Sequence, residues 1–343
     1  MENKKVRVAI NGFGRIGRGF LRAALNEPSI DIVAINDLGD MSNLAYLLKY
    51  DSVYRNFDHE VAVQNGFLTV GDRYRIKLFS EKDPLQLPWK DLAIDVAVES
   101  TGFFEGFQKA EVHKKAGAKK VVISAPAKDT TCEIGRTILM GVNEDALKEV
   151  DITSNGSCTT NSVSPVVAVL SQDPGILKAS LTTIHSYTAT QKVVDSPDAK
   201  DWRRGRAAAQ NIVPSTTGAA IAVACVFPEI IGKFDGVAIR IPTVTVSMSD
   251  ITFLAKRKTT AEEINNILIA ASQDKRWKGI LGVTSDQVVS SDMIGNPHPA
   301  IIDLSMTKVI DGDLVKVFSW YDNEWGYSVT LVRHVMQTAK QIA

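Results

Sequence analysis

The stretch "SNGSCTTNS" at residues 154–162 sets one thiol, Cys158, among serines, threonines and asparagines. A free cysteine is usually a small core hydrophobe. This one has no aliphatic or aromatic residue within four positions on either side. The preceding "DITSNGS" reads as the end of a strand and "TTNSVSPVVAVL" as a helix start. Pro165 sits either in its first turn or at the start of a second segment. A thiol at a helix N-terminus is shifted toward the thiolate, the nucleophilic form. The surrounding hydroxyl and N–H groups could hold an oxyanion or a phosphate. A polar turn that merely contains a cysteine is the competing reading.

A nucleophilic cysteine needs a base. Five histidines are available: His59, His113, His185, His298 and His334. His185 ends the apolar-alternating strand "LTTIHSYTATQ", whereas His59 and His113 lie in charged segments that read as exposed. His334 lies in the terminal helix. His185 is the candidate base, with a satisfied strand-end histidine as the alternative. Arg240 interrupts the apolar strand "GVAIRIPTV". A charge there needs a carboxylate partner or an anionic ligand. No Cys/His pairs stand at zinc-ligand spacing, so no metal is expected.

A second constellation lies at the start of the chain. "AINGFGRIGRGF" sets Gly12, Gly14 and Gly17 in a G-x-G-x-x-G frame. The frame alone is common. Here it follows an apolar strand, opens a helix, and precedes a second apolar strand that ends in Asp37, 20 residues beyond Gly17. That arrangement is the dinucleotide fingerprint: glycines admit the pyrophosphate and the acid holds the ribose. A carboxylate there repels a 2′-phosphate, so NAD is expected over NADP.

The elements that must carry these groups are legible. "VRVAI", "DIVAIND", "IDVAVEST" and "KKVVISAP" are continuous apolar runs suited to a parallel sheet buried on both faces. Helical stretches such as "IGRGFLRAALN" alternate with them. Residues 60–80 read as hairpin-like strands inserted into this pattern. After about residue 155 the strands lengthen and alternate, as in "IIDLSMTKVIDGDLVKVFSWYDN", with a turn at Asp311-Gly312. "TAEEINNILIAAS" opens with the capping-box spacing of Thr260 and Glu263. The fold class is α/β: a Rossmann-type doubly wound sheet plus an α+β domain with a mostly antiparallel sheet. The expected domains are 1–157, completed by a terminal helix over about 323–343, and 158–322.

Composition narrows the functional classes. Lys+Arg and Asp+Glu both number 39, so the net charge is zero, which argues against polyelectrolyte binding. Three scattered cysteines give no disulfide framework and suit a reducing cytosol. The N-terminus "MENKKVRVAINGFG" carries charge and then a short strand, not an apolar signal core. No run approaches a membrane span.

Together, "INGFGRIGR", "VESTGFF", "SNGSCTTNS", "HSYTATQ", "DWRRGRAAAQNIVPSTTGAA" and "WYDNEWGYS" resemble the phosphorylating glyceraldehyde-3-phosphate dehydrogenase family, in order and over essentially the whole chain. The resemblance implies that Cys158 is the nucleophile and His185 its base. It implies oxidation of glyceraldehyde 3-phosphate with NAD and inorganic phosphate to 1,3-bisphosphoglycerate, through a thioester. Thr188 and Arg240 match the site for the substrate phosphate; Ser157, Thr159, Thr217 and Gly218 match that for the attacking phosphate. Gly12, Gly14, Arg15, Ile16, Gly17, Asp37, Lys82, Ser124 and Asn323 match cofactor contacts. Pro197 resembles the proline of NAD-using members. One arginine among Arg203, Arg204 and Arg206 is expected on a phosphate. A cytosolic homotetramer is implied. Ser162 stands where the family commonly has a second cysteine, Gly156 replaces a common alanine, and the stretch over 128–143 is longer than usual. Erythrose-4-phosphate dehydrogenase, which shares this chemistry, is the alternative.

Overall fold

The computed structural model describes residues 5–72, 74–129 and 133–342; Cys132 and part of the long 128–143 stretch lie outside them. The chain divides into two compact units, Met1–Gly156 with Ser328–Ala343, and Ser157–Tyr327.

The first unit is built on β1 (Val6–Asn11), α1 (Arg15–Ala24), β2 (Ile30–Asn36), α2 (Met41–Lys49), β3 (Val61–Gln64), β4 (Phe67–Val70), β5 (Tyr74–Phe79), β6 (Val96–Glu99), α3 (Phe107–Lys115), β7 (Lys120–Ile123), β8 (Gly135–Thr137) and β9 (Ile152–Ser154). Its sheet runs β3-β4-β5-β2-β1-β6-β7-β9-β8, and every neighbouring pair from β5 to β8 is parallel. The strands β6 and β7 are buried at every residue, which is why their sequences are apolar without alternation except at the end residues Glu99 and Lys120. The inserted strands β3, β4 and β5 pair antiparallel. Asn65 and Gly66 take φ of 51° and 76°, the left-handed pair of a two-residue hairpin turn. The strand order reverses between β1 and β6, the place where a doubly wound sheet opens a ligand crevice.

The last helix of the chain, α7 in this numbering (Trp325–Ala339), supplies Leu331, Val332 and Val335 to the core that contains Val8, Ile10, Phe20 and Leu21. His334 of that helix is wholly buried. Its Nδ1 lies 3.0 Å from Asn155 Oδ1, and its Nε2 has no hydrogen-bond partner among the described residues. Burial pushes its pKa from 6.5 down to about 3. The unfolded chain therefore binds the proton that the folded chain refuses. Stability is complete above about pH 6.5 and falls as pH drops toward 3. Between pH 7 and pH 5 this one group is expected to cost about 2 kcal/mol. His334→Leu should lose that much less stability over the interval, measured by urea unfolding at both pH values. Equal losses in variant and wild type would contradict it.

The second unit contains α4 (Cys158–Gln172), β10 (Ile176–Ser186), β11 (Val213–Thr216), α5 (Ala219–Ala224), β12 (Phe234–Ile241), β13 (Ser247–Ala255), α6 (Ala261–Gln273), β14 (Leu281–Thr284), β15 (Ala300–Asp303), β16 (Lys308–Ile310) and β17 (Leu314–Tyr321). Its sheet runs β11-β12-β10-β13-β17-β15-β14, with β16 on β17. Antiparallel pairs dominate; β10 with β12 and β14 with β15 are parallel. The strands β13 and β17 alternate buried and half-buried residues, the pattern of a sheet with one covered face. Helix α4 is buried from Thr159 to Leu170. Pro165 lies inside it, not in its first turn or at a break. It forfeits one helical hydrogen bond, a loss this fully packed helix tolerates. Thr260 caps α6 by accepting from Glu263 N–H at 3.1 Å. The Glu263 carboxylate binds Thr259 and Arg257.

Candidate active site

Cys158 is the first residue of α4. Ser157 caps that helix, its Oγ accepting from Thr160 N–H at 2.9 Å. His185 is the penultimate residue of β10 and is 4% exposed. Its Nε2 lies 3.5 Å from Cys158 Sγ. Arg240 arrives by sheet register: in the parallel pairing of β10 with β12, His185 stands opposite Arg240. Its Nη1 lies 2.6 Å from His185 Nδ1 and 3.1 Å from the Ser186 carbonyl. The three residues chosen from separate segments therefore form one cluster.

The electrostatics differ in one respect from the sequence reading. A helix N-terminus alone would lower the thiol pKa. Burial outweighs this and pushes Cys158 up, while Arg240 and the N–H groups of Thr159 and Cys158 act in the opposite direction. Burial, and after it the Arg240 charge, pushes His185 down to about 3. The pair is thus a thiol beside a neutral imidazole. Two tautomers compete for that ring. If Nδ1–H donates to the Ser186 carbonyl at 2.7 Å, Nε2 offers a lone pair to the thiol proton. If Arg240 donates to Nδ1, Nε2 carries the hydrogen instead.

Tyr321, at the end of β17, escapes the sequence argument. Its hydroxyl lies 2.8 Å from both Thr159 Oγ1 and Thr183 Oγ1, and its ring meets His185 edge-on at 6.0 Å. It ties the start of α4 to the strand that carries the base. Thr159 consequently turns inward, 4% exposed, with its hydroxyl on Tyr321. Ser162 is fully buried one turn below Cys158 and donates to Ser319 Oγ at 3.0 Å.

The other expected anion ligands are placed as follows. Thr188 Oγ1 lies 2.9 Å from Thr190 Oγ1. Thr217 Oγ1 accepts from Ala219 N–H at 3.2 Å, and Gly218 caps the short helix α5. In the arginine loop, Arg206 pairs with exposed Asp195, and Arg203 is exposed. Arg204 is turned inward: Nη2 donates to Ser215 Oγ at 2.7 Å, and its charge helps to depress the pKa of Arg240 after burial. Asn323 Oδ1 accepts from Ser186 Oγ at 2.8 Å and Ser247 Oγ at 3.0 Å.

In the first unit a cleft of about 430 Å³ opens at the sheet's reversal point. Gly12, Gly14, Asp37 and Lys82 line it. Gly12 has φ +96°, and a Cβ there would meet the Ser100 backbone at 2.6 Å. A Cβ on Gly17 would stand 2.2 Å from the Gly12 carbonyl, whereas one on Gly14 would meet nothing within 4 Å. The turn is thus closed by two glycines and left open to the cleft at the third. Asp37 accepts from Phe13 N–H at 2.6 Å and Gly39 N–H at 2.7 Å, which leaves lone pairs for a diol. This cradle suits a dinucleotide. Not every expected contact lines it. Arg15 is paired with Asp51, Ile16 packs on the core, and Ser124 donates its N–H to the Glu99 carbonyl.

A doubly wound sheet with this glycine turn, in a chain that also holds a thiol–imidazole pair beside arginine, defines a dinucleotide-dependent oxidoreductase. Residues 6–106 match the NAD binding domain of glyceraldehyde 3-phosphate dehydrogenase, and residues 157–323 match its C-terminal domain. The glyceraldehyde-3-phosphate dehydrogenase of Streptomyces coelicolor is 48% identical over 330 residues, 95% of this chain and 96% of the relative. That of Geobacillus stearothermophilus is 49% identical over 329 residues, 95% and 96% of the two chains. Glyceraldehyde-3-phosphate dehydrogenase 1 of Bacillus subtilis is 47% identical over 338 residues, 98% and 99% of the two. The chain belongs to the glyceraldehyde-3-phosphate dehydrogenase family, NAD-dependent oxidoreductases.

Proposed function

We propose that this protein oxidises glyceraldehyde 3-phosphate, with NAD and inorganic phosphate, to 1,3-bisphosphoglycerate. The observation that carries the reading is the 3.5 Å contact of Cys158 Sγ with His185 Nε2, beside Arg240. His185 takes the thiol proton as Sγ attacks the aldehyde carbon. The imidazolium so formed gives that proton to the aldehyde oxygen, which completes the hemithioacetal and leaves the ring neutral again. NAD, when bound, supplies the two-electron hydride acceptor. His185 takes the hydroxyl proton of the hemithioacetal as C1 is oxidised to a thioester. Attack of inorganic phosphate on that carbonyl breaks the C–S bond and returns the thiolate.

Arg240 and Thr188 would bind the substrate phosphate. An anion on Arg240 offsets the charge that holds His185 down, and so strengthens the base. Ser157, Thr159, Thr217 and Gly218 would bind the attacking phosphate. Thr159 serves there through its backbone, since its hydroxyl is bound to Tyr321. Arg204, held on Ser215 near Arg240, is the arginine of its loop that we assign to a phosphate. Asp37 and Lys82 border the cleft of the first unit as cofactor contacts, and Asn323 is proposed as a further one. Arg15, Ile16 and Ser124 are proposed as peripheral contacts.

Turnover tests the reading. NADH formation from glyceraldehyde 3-phosphate should depend on added inorganic phosphate and exceed that from erythrose 4-phosphate. Phosphate-independent oxidation, or preference for the four-carbon aldehyde, would contradict it. Asp37 adds a further prediction. NAD should be preferred over NADP, and Asp37→Ala should shift the ratio of kcat/KM values toward NADP by at least about tenfold, since a carboxylate and a phosphate at close range repel by more than 1.36 kcal/mol. Equal use of both cofactors by the wild type would refute it.

A homotetramer is the assembly we propose. In the loop that carries Arg204, Val193 is 84% and Trp202 85% exposed, apolar surface suited to burial against a second copy. Sedimentation at the mass of a single 37.3 kDa chain would contradict this. No helix among the described residues is long and apolar enough to cross a membrane. A cytoplasmic location is proposed on the scarcity and spacing of cysteine, and fractionation tests it.

A further inference from the structure

Beneath the cleft of the first unit lies a buried hydrogen-bond network that the reaction does not use. Its centre is Glu99, the last residue of β6, 2% exposed. One carboxylate oxygen accepts from Thr101 N–H at 2.8 Å and from the Thr101 hydroxyl. The other accepts from Asn11 Nδ2 at 2.6 Å and from His113 Nε2 at 2.9 Å.

The direction of every bond can be deduced from the ends. Trp89 Nε1 is a donor only, and it lies 3.2 Å from His113 Nδ1. Nδ1 therefore carries no hydrogen, and Nε2–H must point at Glu99. Glu81 N–H, also a donor only, bonds Asn36 Oδ1 at 2.7 Å. Asn36 Nδ2 then donates to Asn11 Oδ1 at 2.7 Å, and Asn11 Nδ2 to Glu99. Neither amide can be flipped without setting N–H against N–H. The third chain starts at the backbone N–H of Thr101. Three chains, each started by a group that cannot accept, all end on Glu99. Both of its oxygens therefore accept, the arrangement that a carboxylate's lone pairs suit.

The same residues border the cleft. Asn11, Asn36, Glu81 and Thr101 all line it. We propose that Glu99 is a positioning residue for the cofactor: its carboxylate fixes the polarity of this network and thereby holds the walls of the dinucleotide cleft. This rests on reading that cleft as the NAD site.

The polarity gives the test. Glu99→Gln presents an N–H to at least one donor chain. Asn11→Asp presents an oxygen to a carboxylate. Each is expected to raise the Kd for NAD about tenfold, measured by equilibrium dialysis, with kcat at saturating NAD changed less than about threefold. In Asn11→Asp/Glu99→Gln the new amide donates to the new carboxylate, whose oxygen takes the place of the Asn11 nitrogen 3.4 Å from His113 Nε2 and so offers that N–H an acceptor. That double variant should bind NAD at least about threefold tighter than the weaker single, or fold where that single does not. Asp37→Ala in the same assay separates the two readings. Unchanged NAD affinity in that variant removes the cleft as cofactor site. Weakened affinity there beside unchanged affinity in Glu99→Gln removes only the role of Glu99. A double variant no better than the weaker single, both in affinity and in folded yield, overturns the proposal.

Discussion

Cys158→Ser is expected to lower kcat for aldehyde oxidation by at least about 10³-fold, because a hydroxyl is a far weaker nucleophile than a thiolate near neutral pH. The change should leave folding intact. Cys158 begins α4 but does not cap it; that role falls to Ser157. NAD affinity should stay within about threefold of wild type, since the substitution keeps the size and polarity of the side chain. A stopped assay of NADH formation, with NAD binding measured on the same preparation, reads both quantities. A variant that retains a tenth of the wild-type rate would show that the thiol is not the nucleophile.

His185→Asn is expected to lower kcat/KM by about 10²–10⁴, the usual worth of a positioned general base. Asparagine keeps a polar group near Ser186, but its amide is not basic enough to take the Cys158 proton. The loss should appear with the thiol intact, so stoichiometric alkylation of Cys158 must persist in the variant. A rate within threefold of wild type would mean that the 3.5 Å contact is only structural.

The sequence carried the strand order of events better than the side-chain geometry. The strands β6 and β7 were legible because burial on both faces leaves polar residues only at their ends, Glu99 and Lys120, and β13 and β17 because burial on one face enforces alternation. The glycine turn was legible because backbone clash leaves no other residue at Gly12 or Gly17. Local spacing says nothing of register, so nothing along the chain reveals that His185 and Arg240 are opposite each other across β10 and β12. Tyr321 was hidden for the same reason: its partners Thr159 and Thr183 are 162 and 138 residues away. Helix α3 misled in another way. Its charges suggested an exposed segment, yet His113 is fully buried. The signal was present in Phe107, Ala110 and His113, three residues apart and buried together on one stripe. Pro165 suggested a helix start or break because local rules count only the missing N–H; the tight packing of α4 overrides them.

The central claim is a thioester on Cys158 that phosphate cleaves. Its most direct test is intact-protein and peptide mass spectrometry after rapid mixing of the NAD-loaded protein with glyceraldehyde 3-phosphate in the absence of inorganic phosphate. The account predicts one acyl adduct per chain, located on the Cys158 peptide, formed together with one equivalent of NADH and discharged when inorganic phosphate is added. NADH formation with no adduct, an adduct on Cys225, or an adduct that phosphate does not release would contradict it.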